Sequence, residues 1–345
     1  MSRSNELAAP NSRRETPSDR ARQLLTAVCQ LAGSLSFIDE IDDEFRKGGL
    51  DVAVKSHSTP PIFDWLIDVL SFQGISDRVA RDYAARHGRA TWSELHENLR
   101  SAECAKLRSY WQYSDCRYDK TSQTCAEPEH FDTCKLPRLR LRNGRLNQTA
   151  YSLFLFVRDI AGGDLVGWIR HQIDCANGHH ACDFSAARQA ALIGPLQHVY
   201  GVGEKTLSMA LSTLLIGARD IEPVWFETGK NMVVVDSLAH NFLHRTGILH
   251  GCGTVHAYGQ GCYAEGGCAA VIRKIAASID CRQFNSAFPS VFPRFVQHSI
   301  WRFCAAEAAN VCNGNRIDDR HACQDRYCRL GSKCDRKPLK LSRFQ

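Results

Sequence analysis

The sequence contains no apolar segment long enough to cross a membrane. A membrane helix needs about 18 consecutive apolar residues, whereas the best apolar run, residues 151–157, is far shorter. The first twenty residues carry four arginines and no apolar core. We therefore expect no signal peptide and interpret residues 1–20 as a disordered arm. These features argue against a membrane protein or a secreted protein.

A large excess of one charge is missing too. The 43 basic and 37 acidic residues leave a net charge of +6, which permits a polyanionic partner without requiring one. Strand signals are few, and the best of them covers only residues 232–235. Apolar residues recur instead at three-to-four spacing, so the predicted fold class is all-α. The predicted helices include 63–83, 91–113, 148–159, 206–215, 236–246, 269–279 and 296–309.

Cysteine is unusually frequent, with 16 in a chain for which no export is expected. Because disulfides are rare in reducing compartments, clustered cysteines indicate metal or iron–sulfur ligation. The clearest cluster is C-terminal and consists of Cys312, Cys323, Cys328 and Cys334. Four such thiolates bind zinc or an iron–sulfur cluster, or they stay unligated.

A second candidate metal group lies in a polar loop. It consists of Cys116, Cys125, His130 and Cys134, with Cys175, His179, His180 and Cys182 as further candidates. The spacings match no zinc or iron–sulfur pattern, so unligated thiols are the favoured interpretation. The glycine-rich segment 252–268 is a weaker candidate still.

The most specific stretch covers residues 196–206, where an apolar turn leads into Gly201-Val202-Gly203 and then into a helix. Two glycines one residue apart permit a tight hairpin that presents backbone N–H groups at the start of the helix, where they can cradle a phosphate. This pattern predicts a helix–hairpin–helix grip on the DNA backbone. A plain helix-connecting turn is the alternative, since the spacings of nucleotide-binding loops do not fit.

A second informative stretch, residues 233–247, is a short apolar run that ends in Asp236 and continues as a helix. Asp236 stands where an N-cap residue belongs. A carboxylate at a helix N-terminus, close to a bound phosphate backbone, is also positioned to face a positive charge that develops on a sugar. Asp236 is therefore a candidate for helix capping and for catalysis.

Together these stretches resemble the helix–hairpin–helix/Gly-Pro-Asp superfamily of DNA glycosylases, which includes endonuclease III. Residues 199–206 match the family's Leu-Pro-Gly-Val-Gly-x-Lys-Thr, with Tyr200 in place of the usual Pro. Residues 235–247 match its Val-Asp-Thr…Arg-Leu-Gly, and residues 65–77 resemble its Leu-Ser-x-Gln-x-Ser/Thr-Asp helix. The resemblance implies two helical subdomains that flank a DNA-binding cleft. One would comprise residues 21–60 with 236–337 and carry the cysteine cluster; the other would comprise 61–235, with the hairpin at 196–215 and a cysteine-rich, basic insertion at 104–195.

The resemblance assigns roles to single residues. Asp236 would stabilise the oxocarbenium character that builds at C1′ when the base leaves. Lys205 would attack C1′ and form a Schiff base, as in members with lyase activity, or would only contact a phosphate while water attacks. Gln73 would contact the DNA beside the extruded base, unless it is an ordinary polar residue at a helix end. The implied DNA contacts at the hairpin are Gly201, Val202, Gly203 and Thr206.

The resemblance also implies a cofactor. Endonuclease III and the adenine glycosylase carry a [4Fe–4S] cluster on the pattern C-x6-C-x2-C-x5-C. In this chain the last spacing agrees and the first two are longer, and Cys304 is a fifth candidate ligand. The implied group is a [4Fe–4S] cluster on Cys312, Cys323, Cys328 and Cys334, with zinc as the alternative.

Over its whole length the chain also resembles a branch labelled α-glutamyl/putrescinyl thymine pyrophosphorylase-like, which is associated with hypermodified phage DNA. The resemblance implies a monomeric, cytoplasmic, nucleoid-associated glycosylase that acts on double-stranded DNA. Its substrate would be a flipped, bulky or 5-substituted pyrimidine, and its role DNA repair or antiviral defence. No small-molecule cofactor is implied. The alternatives are a non-catalytic DNA-binding module and a base-modifying enzyme that transfers a group to a flipped thymine derivative.

Overall fold

The computed structural model describes residues 16–32, 37–71, 75, 77–119, 121–177, 184–314 and 316–340. Across these ranges the regular elements are helices, and the β-structure is a single isolated bridge between Asp119 and Thr124. The all-α prediction is therefore confirmed. Residues 232–235, the best strand candidate, are buried but belong to neither a helix nor a strand. No helix in the described part of the chain is both long enough and apolar enough for a membrane span.

The α-helices in chain order are α1 (Pro17–Ala32), α2 (Phe37–Lys47), α3 (Leu50–Lys55), α4 (Thr59–Ser71), α5 (Asp77–His87), α6 (Trp92–Arg100), α7 (Tyr110–Tyr113), α8 (Gly144–Asp159), α9 (Leu165–Asn177), α10 (Phe184–Leu196), α11 (Glu204–Gly217), α12 (Pro223–Gly229), α13 (Ser237–Arg245), α14 (Ile248–Gly251), α15 (Cys268–Ala276) and α16 (Pro293–Cys304). Short 3-10 turns cover Ala105–Leu107, Pro128–His130, Leu136–Arg138, Gln260–Cys262 and Cys281–Gln283.

The predicted N-terminal arm overlaps a helix. Helix α1 begins at Pro17, inside the segment 1–20 for which the composition predicted disorder. Its start is capped, because the Thr16 hydroxyl accepts a hydrogen bond from the backbone N–H of Asp19 at 3.1 Å. Residues 1–15 lie outside the described residues.

The chain divides into two compact units. The terminal unit comprises Met1–Ser34, Ser237–Val291 and Ser299–Gln345; the central unit comprises Leu35–Asp236 and Phe292–His298. Residues 37–60, which the family pattern groups with the C-terminal part, belong to the central unit. The reason is packing: Phe45 of α2 lies against Gly217 of α11, where any Cβ would come within 2.3 Å of the Phe45 ring.

Helix α8 is the core helix of the central unit. Every residue from Leu146 to Val157 is buried, including the apolar run that is the longest in the sequence. Phe154 packs edge-on against Phe63 of α4 with ring centroids 5.9 Å apart. Because α8 buries polar side chains as well, those groups must find hydrogen-bond partners on neighbouring segments.

The terminal unit has its own core. Helix α1 buries Leu24, Leu25 and Val28 and packs against α14 and α15. Phe242 of α13 meets Phe303 at the end of α16, with ring centroids 6.0 Å apart. These contacts fix α13, the helix that begins directly after Asp236.

Candidate functional site

The segment predicted as a hairpin consists of two helices joined by a tight turn, an arrangement that a plain helix connection would also give. Helix α10 ends at Leu196 and α11 begins at Glu204, so the turn spans residues 197–203. Gly201 has φ +73°, a conformation that L side chains rarely adopt. Val199 and Val202 are buried in the core of the central unit, so the turn is anchored by apolar packing.

Helix α8 fixes the turn through Tyr200. The backbone N–H of Tyr200 donates a hydrogen bond to Ser152 Oγ at 3.0 Å, and the Thr149 hydroxyl donates to the Tyr200 carbonyl at 2.8 Å. A Cβ on Gly201 would stand 2.9 Å from Thr149 Oγ1, so α8 approaches as closely as glycine permits. Since proline has no N–H, the departure from the family pattern at position 200 allows a hydrogen bond that the usual Pro could not make.

Two side chains at the start of α11 differ in their exposure to solvent. Gly203 is the N-cap residue, and its carbonyl accepts the N–H of Thr206 at 3.0 Å. Lys205, the second residue of the helix, is exposed, whereas Thr206 is only 8% exposed. Val202 is 9% exposed. The side chains of Val202 and Thr206 therefore serve the core, and any contact there with a ligand must use backbone groups.

A positive charge stands beside the turn. Arg145 of α8 is exposed, and its Nε lies 3.5 Å from the place that a Cβ on Gly201 would occupy. Among the described residues no carboxylate pairs with Arg145 or with Lys205. Backbone N–H groups at the start of a helix together with these cations make the surface suitable for an anion.

An aromatic cleft opens next to the hairpin within the central unit. It measures about 720 Å³. Its lining includes Tyr110, Trp111, Tyr118, Gln148, His198 and Tyr200. Trp111 is 63% exposed and Tyr200 is 40% exposed. Such ring faces can stack on nucleobases. Lys205 and Asp236 are not among the described residues that line this cleft.

The two predicted catalytic residues both stand at helix N-termini. Lys205 follows the N-cap of α11, and Asp236, which is half-buried, directly precedes α13. The capping position predicted for Asp236 is therefore the position it occupies. Gln73 lies outside the described residues.

Helix α13 connects Asp236 to two groups of potential metal ligands. His240 lies one turn after Asp236, and Arg245 is the last residue of the helix. The C-terminal tail is fastened to this end of α13, because the Lys337 N–H donates to the Arg245 carbonyl at 2.9 Å. A change in either group of ligands would therefore act on the helix that follows the candidate carboxylate.

The first of these groups is a candidate metal centre in the terminal unit. It comprises His240, His256, Cys262 and Cys268, whose ligand atoms all lie within 4.8 Å of one another. Cys268 Sγ lies 3.3 Å from His240 Nδ1 and 3.3 Å from His256 Nε2. Ligand atoms around a tetrahedral zinc ion lie about 3.3–3.8 Å apart, given the Zn–N and Zn–S bond lengths. These four residues can therefore hold a metal ion.

Local geometry prepares this centre for a metal. His256 Nδ1 lies 2.7 Å from the Thr254 carbonyl oxygen, which fixes Nδ1 as the protonated nitrogen and leaves the Nε2 lone pair facing Cys268. A hydrogen bond from Cys268, and then the His240 ring, hold the pKa of the Cys262 thiol well below its usual range. A thiolate is the form that binds a metal ion. Cys262 is thus presented as a thiolate and His256 with a free nitrogen lone pair, whereas the hydrogen bond to Cys262 raises the pKa of the Cys268 thiol, which must lose its proton to bind a metal.

The sequence pattern underestimated this centre. The segment 252–268 ranked as the weakest candidate because its cysteines lack the short C-x-x-C spacing of familiar sites. The fourth donor, His240, comes from a helix, and only the fold brings it to the loop. The glycines were the available signal: a Cβ on Gly267 would come within 2.2 Å of the Gly261 carbonyl oxygen, so the loop can close only with glycine there.

The second group consists of the four C-terminal cysteines predicted as ligands. Unlike the His240 group, no three of these four described residues have ligand atoms within 4.8 Å of one another, but their thiols influence one another electrostatically. Burial, and then the neighbouring Cys312, Cys328 and Cys323, raise the pKa of the Cys334 thiol to about 11. Burial also raises the pKa of Cys328, with Cys312 and Cys323 adding to it. Thiols that influence one another in this way are near neighbours. A [4Fe–4S] cluster tolerates a wider set of thiolates than a single ion does, because each thiolate binds a different iron.

A buried arginine supports a negatively charged group at these cysteines. Arg245 is 1% exposed; its Nη2 pairs with Asp319, and its Nη1 is buried with no hydrogen-bond partner among the described residues. A hydrogen bond with Cys304 and then the charge of Arg245 lower the pKa of the Cys312 thiol. A buried cation with an unused donor fits a thiolate-bound metal group better than four neutral thiols.

Hydrogen bonds to sulfur also favour a thiolate-bound metal group at the C-terminal cysteines. The backbone N–H of Arg336 donates to Cys334 Sγ at 3.4 Å, and the N–H of Leu330 likewise bonds to the Cys328 sulfur. Such bonds favour the thiolate form and set the properties of a bound cluster. The residues present therefore fit the implied [4Fe–4S] cluster, while zinc remains the alternative.

The remaining predicted metal group lies in the central unit. Cys116, Cys125, His130 and Cys134 line one small cavity together with Cys104, which was not predicted as a member. Cys175 is exposed, and His179, His180 and Cys182 lie outside the described residues.

Comparison with known proteins found no relative of this chain. No family model matches the chain, and no curated protein or solved structure matches it either.

Proposed function

We propose that this protein is a DNA glycosylase that removes a modified base, with a bulky or 5-substituted pyrimidine as its substrate. The observation that carries the proposal is the hairpin between α10 and α11. Its glycine turn is pinned to α8, its helix start is open, and two exposed cations, Lys205 and Arg145, stand beside it. This surface suits a phosphate backbone.

Gripping the backbone supports the extrusion of a base. A glycosylase must take its target nucleotide out of the stack, which costs a few kcal/mol. Contacts of Gly201, Gly203 and Arg145 with phosphates would offset part of that cost. The aromatic cleft beside the hairpin would stack neighbouring or extruded bases on Trp111 and Tyr200.

Cleavage would depend on a carboxylate. When the N-glycosidic bond breaks, positive charge develops on the deoxyribose, and Asp236 would stabilise it electrostatically. Asp236 directly precedes α13, where the partial positive charge of a helix N-terminus favours a carboxylate. Lys205 is exposed at the start of α11. Its amine would either attack C1′ and form a Schiff base, which adds strand cleavage, or bind a phosphate while water attacks.

The metal groups would serve the architecture. A [4Fe–4S] cluster held by Cys312, Cys323, Cys328 and Cys334 would supply a rigid cross-link for a tail that contains no helix over its described residues, 305–314 and 316–340. The basic residues of this tail, among them Arg320, Arg326 and Arg329, would then contact phosphates. In this proposal the protein acts as a monomer in the cytoplasm and binds nucleoid DNA. DNA repair and defence against phages with modified DNA are the roles that this chemistry serves.

The test is a product assay on duplexes that each contain one defined pyrimidine. Thymine, 5-hydroxymethyluracil, 5-hydroxymethylcytosine and an aminoalkyl-substituted thymine make a suitable panel. We expect alkali-labile abasic sites at a substituted pyrimidine and not at thymine. Borohydride added during the reaction traps a covalent complex if Lys205 acts as nucleophile.

Two variants separate the alternatives. Asp236→Asn removes the charge with little change in shape, so it should abolish abasic sites while duplex binding persists. Lys205→Ala should abolish borohydride trapping. Duplex binding without abasic sites on any substrate would instead indicate a non-catalytic DNA-binding module. A chemically altered base that stays attached to the strand would indicate a group-transfer enzyme.

A further inference from the structure

A compact group of four cysteines organises the irregular segment between α6 and α8. Over residues 101–143 the longest described regular element is α7, which has four residues. The cysteines come from four separate turns of this segment: Cys104, Cys116, Cys125 and Cys134. All four pack, partly buried, against the core of the central unit. A stretch of this length with so little regular structure needs another source of order.

The four cysteines line a space that suits a single ion. They line one cavity of about 10 Å³, which has room for about one water-sized sphere. Leu107 and Leu136, both buried, wall the cavity. A four-iron cluster would not fit this space, whereas one metal ion would.

The pKa shifts of Cys116 and Cys134 indicate that Cys104 lies near them. Burial, and then neighbouring thiols that include Cys104 and Cys125, raise the pKa of Cys116. Burial, and then Cys116, Cys104 and Cys125, raise the pKa of Cys134 to about 11. The thiols of Cys116 and Cys134 are therefore near each other and near those of Cys104 and Cys125. Among the described residues only the His240 group has its ligand atoms within 4.8 Å of one another, so a bound ion would have to draw these four sulfurs closer together.

Backbone groups are already arranged for thiolates. The N–H two residues after Cys116 bonds to its sulfur, and so does the N–H two residues after Cys134. The same arrangement occurs at the C-terminal Cys328 and Cys334. Lys106 and Glu127 both line the cavity, and Lys106 Nζ pairs with the Glu127 carboxylate at 3.6 Å, so the charge of Lys106 is already compensated. The backbone N–H groups are the partners that orient metal-bound sulfur.

We propose that Cys104, Cys116, Cys125 and Cys134 bind one zinc ion as a closed structural site, with His130 outside the coordination sphere. Binding releases the four thiol protons and leaves a tetrathiolate zinc site of charge −2. Zinc suits four soft donors in a tetrahedron, and no open position remains for chemistry. His130 lines the same cavity but is not needed once Cys104 supplies the fourth ligand.

The site would shape the aromatic cleft. Gln148 of α8 donates to the Tyr118 carbonyl at 2.9 Å, and the Tyr113 hydroxyl donates to the Gln148 carbonyl at 3.0 Å. The segment 101–143 thus forms one wall of the cleft. The hairpin, which is hydrogen-bonded to the same helix α8, forms another wall. This inference does not depend on the glycosylase proposal, because zinc can be measured without any activity.

The first experiment counts zinc in full-length protein purified without added chelator. Cys104→Ser should remove about one zinc per chain, as should Cys134→Ser. His130→Ala and Cys175→Ser, an exposed cysteine of the same unit, should retain the full content. Loss of zinc in His130→Ala together with full zinc in Cys104→Ser would overturn the ligand assignment.

The second experiment remains decisive if those variants fold poorly. X-ray absorption on the wild-type protein should show zinc with about three sulfur neighbours on average if this site and the His240 centre are both filled. In a variant that carries Cys262→Ser, Cys268→Ser and Cys334→Ser, and so lacks both the His240 centre and the zinc alternative at the C-terminal cysteines, the remaining zinc should have about four sulfur neighbours. No zinc in that variant, or zinc with nitrogen neighbours, would overturn the proposal.

Discussion

The backbone N–H of Tyr200 is bonded to Ser152 Oγ at 3.0 Å, and this bond ties the glycine turn of the hairpin to the core helix α8. Ser152 is 2% exposed, so its hydroxyl cannot turn to water instead. The backbone N–H of residue 200 thus stabilises the turn, and this role does not depend on the side chain.

Restoring the family's proline should therefore destabilise this chain. Tyr200→Pro removes the donor and leaves Ser152 Oγ without it, at a cost of about 1–3 kcal/mol. Tyr200→Ala keeps the N–H and serves as the control. Urea unfolding followed by circular dichroism measures both variants. Equal stability of Pro and Ala at this position would show that the bond contributes nothing.

The two glycines of the turn should differ in their tolerance of alanine. Gly201→Ala places a Cβ 2.9 Å from Thr149 Oγ1 at φ +73°, so we expect destabilisation by about 1–3 kcal/mol. Gly203 has φ −108° and open space around the Cβ position, so Gly203→Ala should change stability by no more than about 0.5 kcal/mol. Thermal unfolding of the pair measures the contrast, and similar midpoints would contradict the observed turn.

The His240 centre should bind a metal and hold α13 in place. Cys262→Ser/Cys268→Ser should remove about one zinc per chain and lower the thermal midpoint by on the order of 10 °C. Cys252→Ser, an exposed cysteine of the same loop region, is the matched control and should do neither. Because the ligands must be deprotonated, acidification should release the same zinc. A double variant with unchanged metal content would show that the four residues are not ligands.

The C-terminal cysteines should hold iron. Protein purified without oxygen should contain about four irons per chain and show the broad visible absorption of a thiolate-bound cluster. Cys334→Ser should lose both signals. Iron-free protein in which Cys334→Ser instead removes one zinc would establish the zinc alternative, and wild-type protein with neither metal at these cysteines would leave them as thiols.

Helices were predictable where an apolar stripe faces one core. The pattern at 206–215 corresponds to α11 (Glu204–Gly217), and the pattern at 269–279 corresponds to α15 (Cys268–Ala276). The helix predicted over 91–113 breaks after Arg100, because the following segment bends to bring Cys104 towards the other cysteines. Periodicity cannot report such a bend, since it depends on partners far along the chain.

Site residues were predictable where one local motif carries them. Gly201 has the positive φ that the hairpin pattern predicts and Asp236 directly precedes a helix, whereas Gly203 has a φ of −108° that does not require glycine. The His240 centre was missed because its donors come from α13, from the segment that follows it and from the start of α15, with no short repeat between them. Cys104 was missed for a related reason: twelve residues separate it from Cys116, and only packing against one core brings them together.

The central claim is that Asp236 promotes removal of a base from DNA. Mass spectrometry of the small molecules released from a duplex with one substituted pyrimidine tests it most directly. We predict free base in an amount equal to the abasic sites formed, and neither product with Asp236→Asn protein that still binds the duplex. Wild-type protein that binds every duplex of the panel and releases no free base would contradict the claim.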